Sequence, residues 1–154
     1  MLKLTFVGAL VVAISCAVGA TAVTAAMDPI KERKAIMKEK VLKNWKVVKP
    51  MAKGKAPYDG KAAAAAFAAI SKAVMGFEDR FPKGTETGGK TTAKATIGED
   101  MKGFKAKFVK FRADTKAAAG QAAKSEADFK AAFTTVGKGC GGCHKAFRVK
   151  KKKK

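Results

Sequence analysis

From Asp28 onward the apolar positions of this chain recur three and four residues apart, and nowhere do they alternate as a strand would. Asp28-Pro29 places an N-cap carboxylate before a proline at the first helical position, where its missing N–H costs nothing. Ile30, Met37, Val41, Trp45 and Val48 then return at helical spacing among Lys and Glu as far as Pro50, which predicts a first helix ending there. The turn Gly54-Lys55-Ala56-Pro57-Tyr58-Asp59 leads to a second, with Ala63, Phe67, Ile70, Val74 and Phe77 on one face. Its Ala-rich run from Ala62 to Ala69 favours helix by propensity and lets a neighbour approach closely. Glu78 to Ala95, rich in Pro, Gly and Thr, reads as one long connection. Thr96-Ile97-Gly98-Glu99 has the capping-box pattern and predicts a third helix whose face is Met101, Phe104, Phe108, Phe111, Thr115 and Ala118, up to Gly120. Ser125-Glu126-Ala127-Asp128 opens a fourth, with Phe129, Phe133, Val136, Cys140, Cys143 and Phe147 in register. Four such helices, two short connections and one long one predict an all-α, antiparallel four-helix bundle.

The N-terminus has a different character. Met1 to Lys3 carries one positive charge, Leu4 to Val18 is apolar, and Gly19 to Ala26 is small and uncharged, the layout of a secretory signal peptide. The apolar run is shorter than the roughly 20 residues a membrane-spanning helix needs. Cleavage after Ala25 puts Val23 and Ala25 at the two small-residue positions, with Ala22 and Ala26 as neighbouring choices. Residues 1–25 are therefore expected to be a signal for export to the periplasm, and 26–154 a single domain ending in the basic tail 150–154. Cys16 falls inside the signal and leaves with it.

Charge gains its meaning from that address. The 154 residues include 33 Lys plus Arg against 12 Asp plus Glu, a net charge of +21. Such a balance suits nucleic acid, an anionic membrane surface or an acidic protein. An exported chain with one Tyr and one Trp has little to stack on bases, so nucleic acid is set aside. Acidic redox proteins, or an anionic membrane surface, remain as partners.

The chemistry is concentrated in Cys140-Gly141-Gly142-Cys143-His144, a C-x-x-C-H that reads as covalent attachment of a c-type haem. Residues three apart on a helix share a face, so both thiols can reach two vinyl groups on one porphyrin edge. His144 can present its imidazole to the iron from the same side. Gly141 and Gly142 keep side chains away from the macrocycle. A structural zinc site needs four ligands, and the exported chain offers two Cys and one His. A thioredoxin-like pair would sit in a βαβ context, and no strands are predicted. A plain disulfide is the remaining alternative.

A C-terminal haem motif on the fourth helix of a bundle resembles the class II c-type cytochromes, the cytochrome c′ family and its low-spin, Met-ligated relatives. The similarity extends over Arg33-Lys34-Ala35-Ile36-Met37, Pro57-Tyr58-Asp59, Phe81-Pro82-Lys83-Gly84-Thr85-Glu86 and Gly137-Lys138-Gly139-Cys140 through Arg148. The resemblance implies one haem c bound through Cys140 and Cys143, with His144 as proximal ligand and Met37 facing the other side of the iron. It also implies that Arg33 and Lys34 lie near the propionates, that Thr85 and Glu86 approach the haem edge, and that Arg148 stands beside the proximal face. Members of the family often form homodimers through the first two helices; the Ala-rich second helix permits this and the dense Lys of the first opposes it.

With a single His, bis-His ligation within one chain is impossible. The sixth position belongs to Met37, to another donor, or to nothing. A Met/His pair makes a closed, low-spin site suited to electron transfer. If Met37 only packs over the iron, the site is five-coordinate and open to small gases such as NO or CO. The Arg33 to Met37 segment, the loop and the C-terminal segment together look more like the Met-ligated branch. No nucleophile, carboxylate dyad or substrate pocket is visible, so no enzyme activity is expected.

Overall fold

The computed structural model describes residues 28–150, so the expected signal segment 1–25 and residues 151–154 of the basic tail lie outside the described residues. Among the described residues there are five helices and no strand beyond one isolated bridge between Ala93 and Arg148.

The first helix starts as predicted, with the Asp28 carboxylate accepting from the amides of Ile30 at 2.8 Å and Lys31 at 3.3 Å. It is α-helical over Pro29–Ala35, widens to a π-helix over Ile36–Leu42 and returns to α over Lys43–Ala52; the three run on as one rod, α1. The widened stretch has a sequence cause. Arg33, Met37, Val41 and Trp45 are successive steps of four, and each such step drifts about 40° around a helix of 3.6 residues per turn. Turns closed by i→i+5 bonds take that drift back and keep the row facing the bundle. Pro50 does not end this helix, as expected from sequence, but lies inside it. Its missing N–H deprives only the carbonyl of Lys46, an exposed residue, and the helix ends two residues later at Ala52, the chain turning off through Lys53 and Gly54, the latter at φ +66°.

The second helix, α2 (Gly60–Ala73), is capped by Asp59, whose carboxylate accepts from Ala62 N at 2.9 Å. It stops short of the predicted Phe77. Gly76, at φ +60°, reverses the chain into a 3₁₀ turn over Phe77–Arg80, which still delivers Phe77 to the core. The capping box expected at Thr96 does not form. Thr96–Glu99 is a single turn, α3, without a side-chain cap. The long helix α4 (Met101–Ala122) begins instead at Asp100, whose carboxylate takes the Gly103 amide at 2.8 Å. Gly120 is exposed with open space around it, so α4 continues past it to Ala122. In α5 (Glu126–Phe147), Ser125 accepts from Asp128 N at 3.1 Å and donates to its carboxylate at 2.7 Å, as the sequence predicts.

Cross-helix pairs fix an antiparallel bundle of α1, α2, α4 and α5. Tyr58 donates to the Ala122 carbonyl at 2.6 Å, while Ser71 reaches the Arg112 carbonyl and Phe77 lies 4.9 Å from Phe108, so α2 and α4 run oppositely. Phe104 meets Phe147 at 5.1 Å, although the two helices are joined only by Ala123–Ser125, so α4 and α5 do the same. Trp45 of α1 stacks on Phe133 of α5 at 4.3 Å. Phe67, Ile70, Val74, Phe129 and Val136 form the driest part of the core. Burial of that apolar surface is the main force holding the helices together.

Candidate functional site

Cys140, Cys143 and His144 ride on the last turns of α5, and Met37 and Val41 come from the π-helical part of α1. With Lys107, Phe108 and Phe111 of α4 and with Gly139 they line one apolar cavity of about 40 Å³. Cys140 and Cys143 are half-buried and not bonded to each other. The disulfide alternative is thus not the state of this structure. A larger groove of about 290 Å³ opens outward between α4 and α5 and shares Lys107, Phe111, Gly139 and Cys143 with the cavity.

Glycine is required at one position here. A Cβ on Gly139 would come within 2.9 Å of the Phe111 ring, so the absence of a side chain lets α5 lie against α4 beside the thiols. At Gly141 and Gly142 a Cβ would meet no protein atom within 4 Å.

Burial governs the titratable groups. It pushes the Cys140 thiol up to about 11, against its backbone hydrogen bond and with a small contribution from Cys143. Burial also raises Cys143, opposed by the charge of Lys107. The His144 imidazole is held below its ordinary value, first by desolvation and then by Arg148. At neutral pH the thiols are therefore protonated and the imidazole is neutral, with a lone pair free for a metal.

The other predicted residues form separate arrangements, and none of them lines the cavity. Arg33, 4% exposed, donates to the Arg80 carbonyl at 2.9 Å, to Thr85 Oγ1 at 3.0 Å and to the Thr85 carbonyl at 2.7 Å. Its guanidinium also lies 4.2 Å from the centre of the Phe81 ring. Desolvation draws the Arg33 pKa down, while Asp28 and Glu86 draw it back. Glu86 accepts from Gly84 N at 2.7 Å in the same loop. Lys34 is exposed, and Arg148, also exposed, donates to Thr92 Oγ1 at 3.2 Å.

Two features of the site escaped the sequence reading. The π-helical turn is signalled by the steps of four from Arg33 to Trp45. Lys107 is the polar member of an i, i+3, i+4, i+7 row with Phe104, Phe108 and Phe111, which places it at the edge of that face, exposed yet lining the cavity.

These residues fit a covalently attached haem: two thiols three apart on one helical face, a neutral imidazole next to the second, and a thioether sulfur on the facing helix, all in one apolar cavity. Among the described residues no group of three or more His, Cys, Asp and Glu could hold a bare metal ion. No helix among them is long and apolar enough to cross a membrane.

A family model described as cytochrome c′ matches residues 28–148. Cytochrome c-556 of Agrobacterium tumefaciens (strain II Chrys) is 34% identical over 122 residues, covering 79% of this chain and 98% of that protein. Cytochrome c′ of Rhodopseudomonas palustris is 37% identical over 124 residues, covering 80% and 84%. The solved structure of cytochrome c′ from Rhodopseudomonas palustris superposes with a TM-score of 0.75, covering 80% of this chain and 98% of that one.

Proposed function

This chain belongs to the cytochrome c′ family of class II c-type cytochromes, haem electron-transfer proteins with one haem c per chain, and from that premise we propose that it is a periplasmic electron carrier with His144 and Met37 as axial ligands. The haem supplies an iron that takes up and gives back one electron. Cys140 and Cys143 are the attachment points, and the neutral imidazole of His144 is the proximal donor.

The observation that carries the reading is Met37 in the π-helical turn, lining the same cavity as Cys140, Cys143 and His144. Such turns recur at functional sites because they re-aim a few side chains without ending the helix. A thioether opposite an imidazole raises the reduction potential and leaves no ligand to be gained or lost on reduction. Val41, Phe108 and Phe111 line the cavity beside the donors with hydrocarbon, while His144 itself is exposed at its edge. The partner reading rests on the charge of +21, which suits an acidic redox protein.

A second reading is favoured by the mixed naming of the relatives, cytochrome c-556 and cytochrome c′. In it Met37 only packs over the iron, and the open site binds NO or CO. The visible spectrum of the oxidised protein, followed by CO addition after reduction, separates the two. A low-spin spectrum indifferent to CO supports Met37 ligation, and a high-spin spectrum with ready CO binding overturns it.

A further inference from the structure

The helix carrying the haem motif ends at Phe147, three residues beyond His144, so the axial donor sits in a terminal turn. The last four carbonyls of a helix have no partner within it, and such turns fray unless something outside bonds them. Here all four are bonded. The His144 carbonyl accepts from Arg148 N at 3.1 Å and the Phe147 carbonyl from Lys94 N at 3.0 Å. The carbonyls of Lys145 and Ala146 accept from Lys94 Nζ at 3.0 and 3.1 Å. One residue of the long loop thus holds three of the four, and its ammonium lies at the negative end of the helix dipole.

Lys94 is itself anchored. Its neighbour Ala93 packs on the core and pairs with Arg148, and Val149 N donates to the Thr92 carbonyl at 2.8 Å. On the far side of the turn, Phe147 lies against Phe104. The loop strap and the aromatic contact grip the turn of His144 from two directions.

We propose that Lys94 is a positioning residue for His144, fixing the last turn of α5 so that the imidazole is presented in one orientation. The inference rests on the reading of His144 as an axial ligand.

The test uses haem-loaded protein grown with ¹³C,¹⁵N-histidine. His144 is the only His, so the label reports a single ring. Wild type, Lys94→Met, Lys94→Arg and Tyr58→Phe are compared by NMR in the oxidised state. Tyr58→Phe is the control: it removes one side-chain bond to a carbonyl, that of Ala122 at the C-terminus of α4, four residues before α5 starts and at the far end of that helix from His144. The expected wild-type result is one set of hyperfine-shifted ring resonances. Lys94→Met moves or splits that set and speeds exchange of the Arg148 amide roughly tenfold. Lys94→Arg restores the single set, and Tyr58→Phe leaves it in place. Resonances unchanged in Lys94→Met, or moved equally by Tyr58→Phe, overturn the inference. Wild-type resonances without any hyperfine shift remove His144 from the iron, a distinct result that takes the inference with it.

Discussion

The Arg33 guanidinium holds both the backbone and the side chain of Thr85, donating to its carbonyl at 2.7 Å and its hydroxyl at 3.0 Å. A third bond to the Arg80 carbonyl completes a clamp between α1 and the long loop, one turn before Met37. Thr85 in turn donates to the Pro82 carbonyl at 2.8 Å, so the arginine organises the loop from within. An arginine at this place thus has a structural task that does not depend on any propionate.

Replacing Arg33 with Met should therefore destabilise the fold. Three acceptors lose a charged donor in a place with little access to water, a loss of about 2–4 kcal/mol. Thermal unfolding should drop by roughly 10 °C. Lys at this position should recover little, because one ammonium cannot reproduce a planar fork on three acceptors. A melting curve of Arg33→Lys that matches wild type would count against the clamp.

Met37 is best probed by Leu, which keeps the volume and removes the sulfur at a cost below about 1.5 kcal/mol. If the thioether is the sixth donor, Met37→Leu turns the oxidised spectrum from low- to high-spin, opens the reduced protein to CO and lowers the potential. Identical spectra for variant and wild type would assign Met37 to packing alone.

How far these features could be read in the sequence differs by kind. The four helical faces were legible because each is a long apolar row, and a row of Phe buried at steps of three and four leaves few alternatives. Boundaries were less so, since Pro50, Thr96 and Gly120 are residues whose effect depends on which carbonyl or amide is left exposed. Cys140, Cys143 and His144 were legible through local spacing. The Arg33–Thr85 clamp and the Lys94 strap join residues about 50 positions apart, and no short-range pattern encodes such pairs. The π-helical turn was legible in principle, through four-residue steps that no straight α-helix keeps on one face.

The Glu78–Arg112 pair offers a test of how the long connection is held down. Glu78 is 8% exposed and accepts from Arg112 Nη1 at 2.6 and 2.7 Å, linking the 3₁₀ turn to α4. Arg112→Met strands a buried carboxylate and should cost about 3 kcal/mol. Removing both charges, as Glu78→Leu with Arg112→Met, should return to within about 1 kcal/mol of wild type, since desolvation of the pair offsets most of its attraction. Denaturant midpoints of the two single variants and the double close this cycle. A double variant as unstable as the sum of the singles would show that the charges act independently.

Salt dependence tests the partner reading. Lys107, Lys110 and Lys138 border the groove that opens beside Cys143, with Asp114 the only carboxylate lining it, and Asp114 is engaged by Lys110 at 2.8 Å. An acidic redox protein approaching this side meets positive charge ungoverned by local acids, and attraction of that kind is screened within about 10 Å at 0.1 M salt and about 3 Å at 1 M. The bimolecular electron-transfer rate should therefore fall steeply as salt rises, while the potential and spectrum stay fixed. Lys107→Glu with Lys138→Glu should reduce the rate at low salt and flatten its salt dependence. Stopped-flow measurements against an acidic and a basic redox protein of similar potential provide the comparison. Equal rates with both, insensitive to salt, would mean that the lysines serve only to keep the helices solvated.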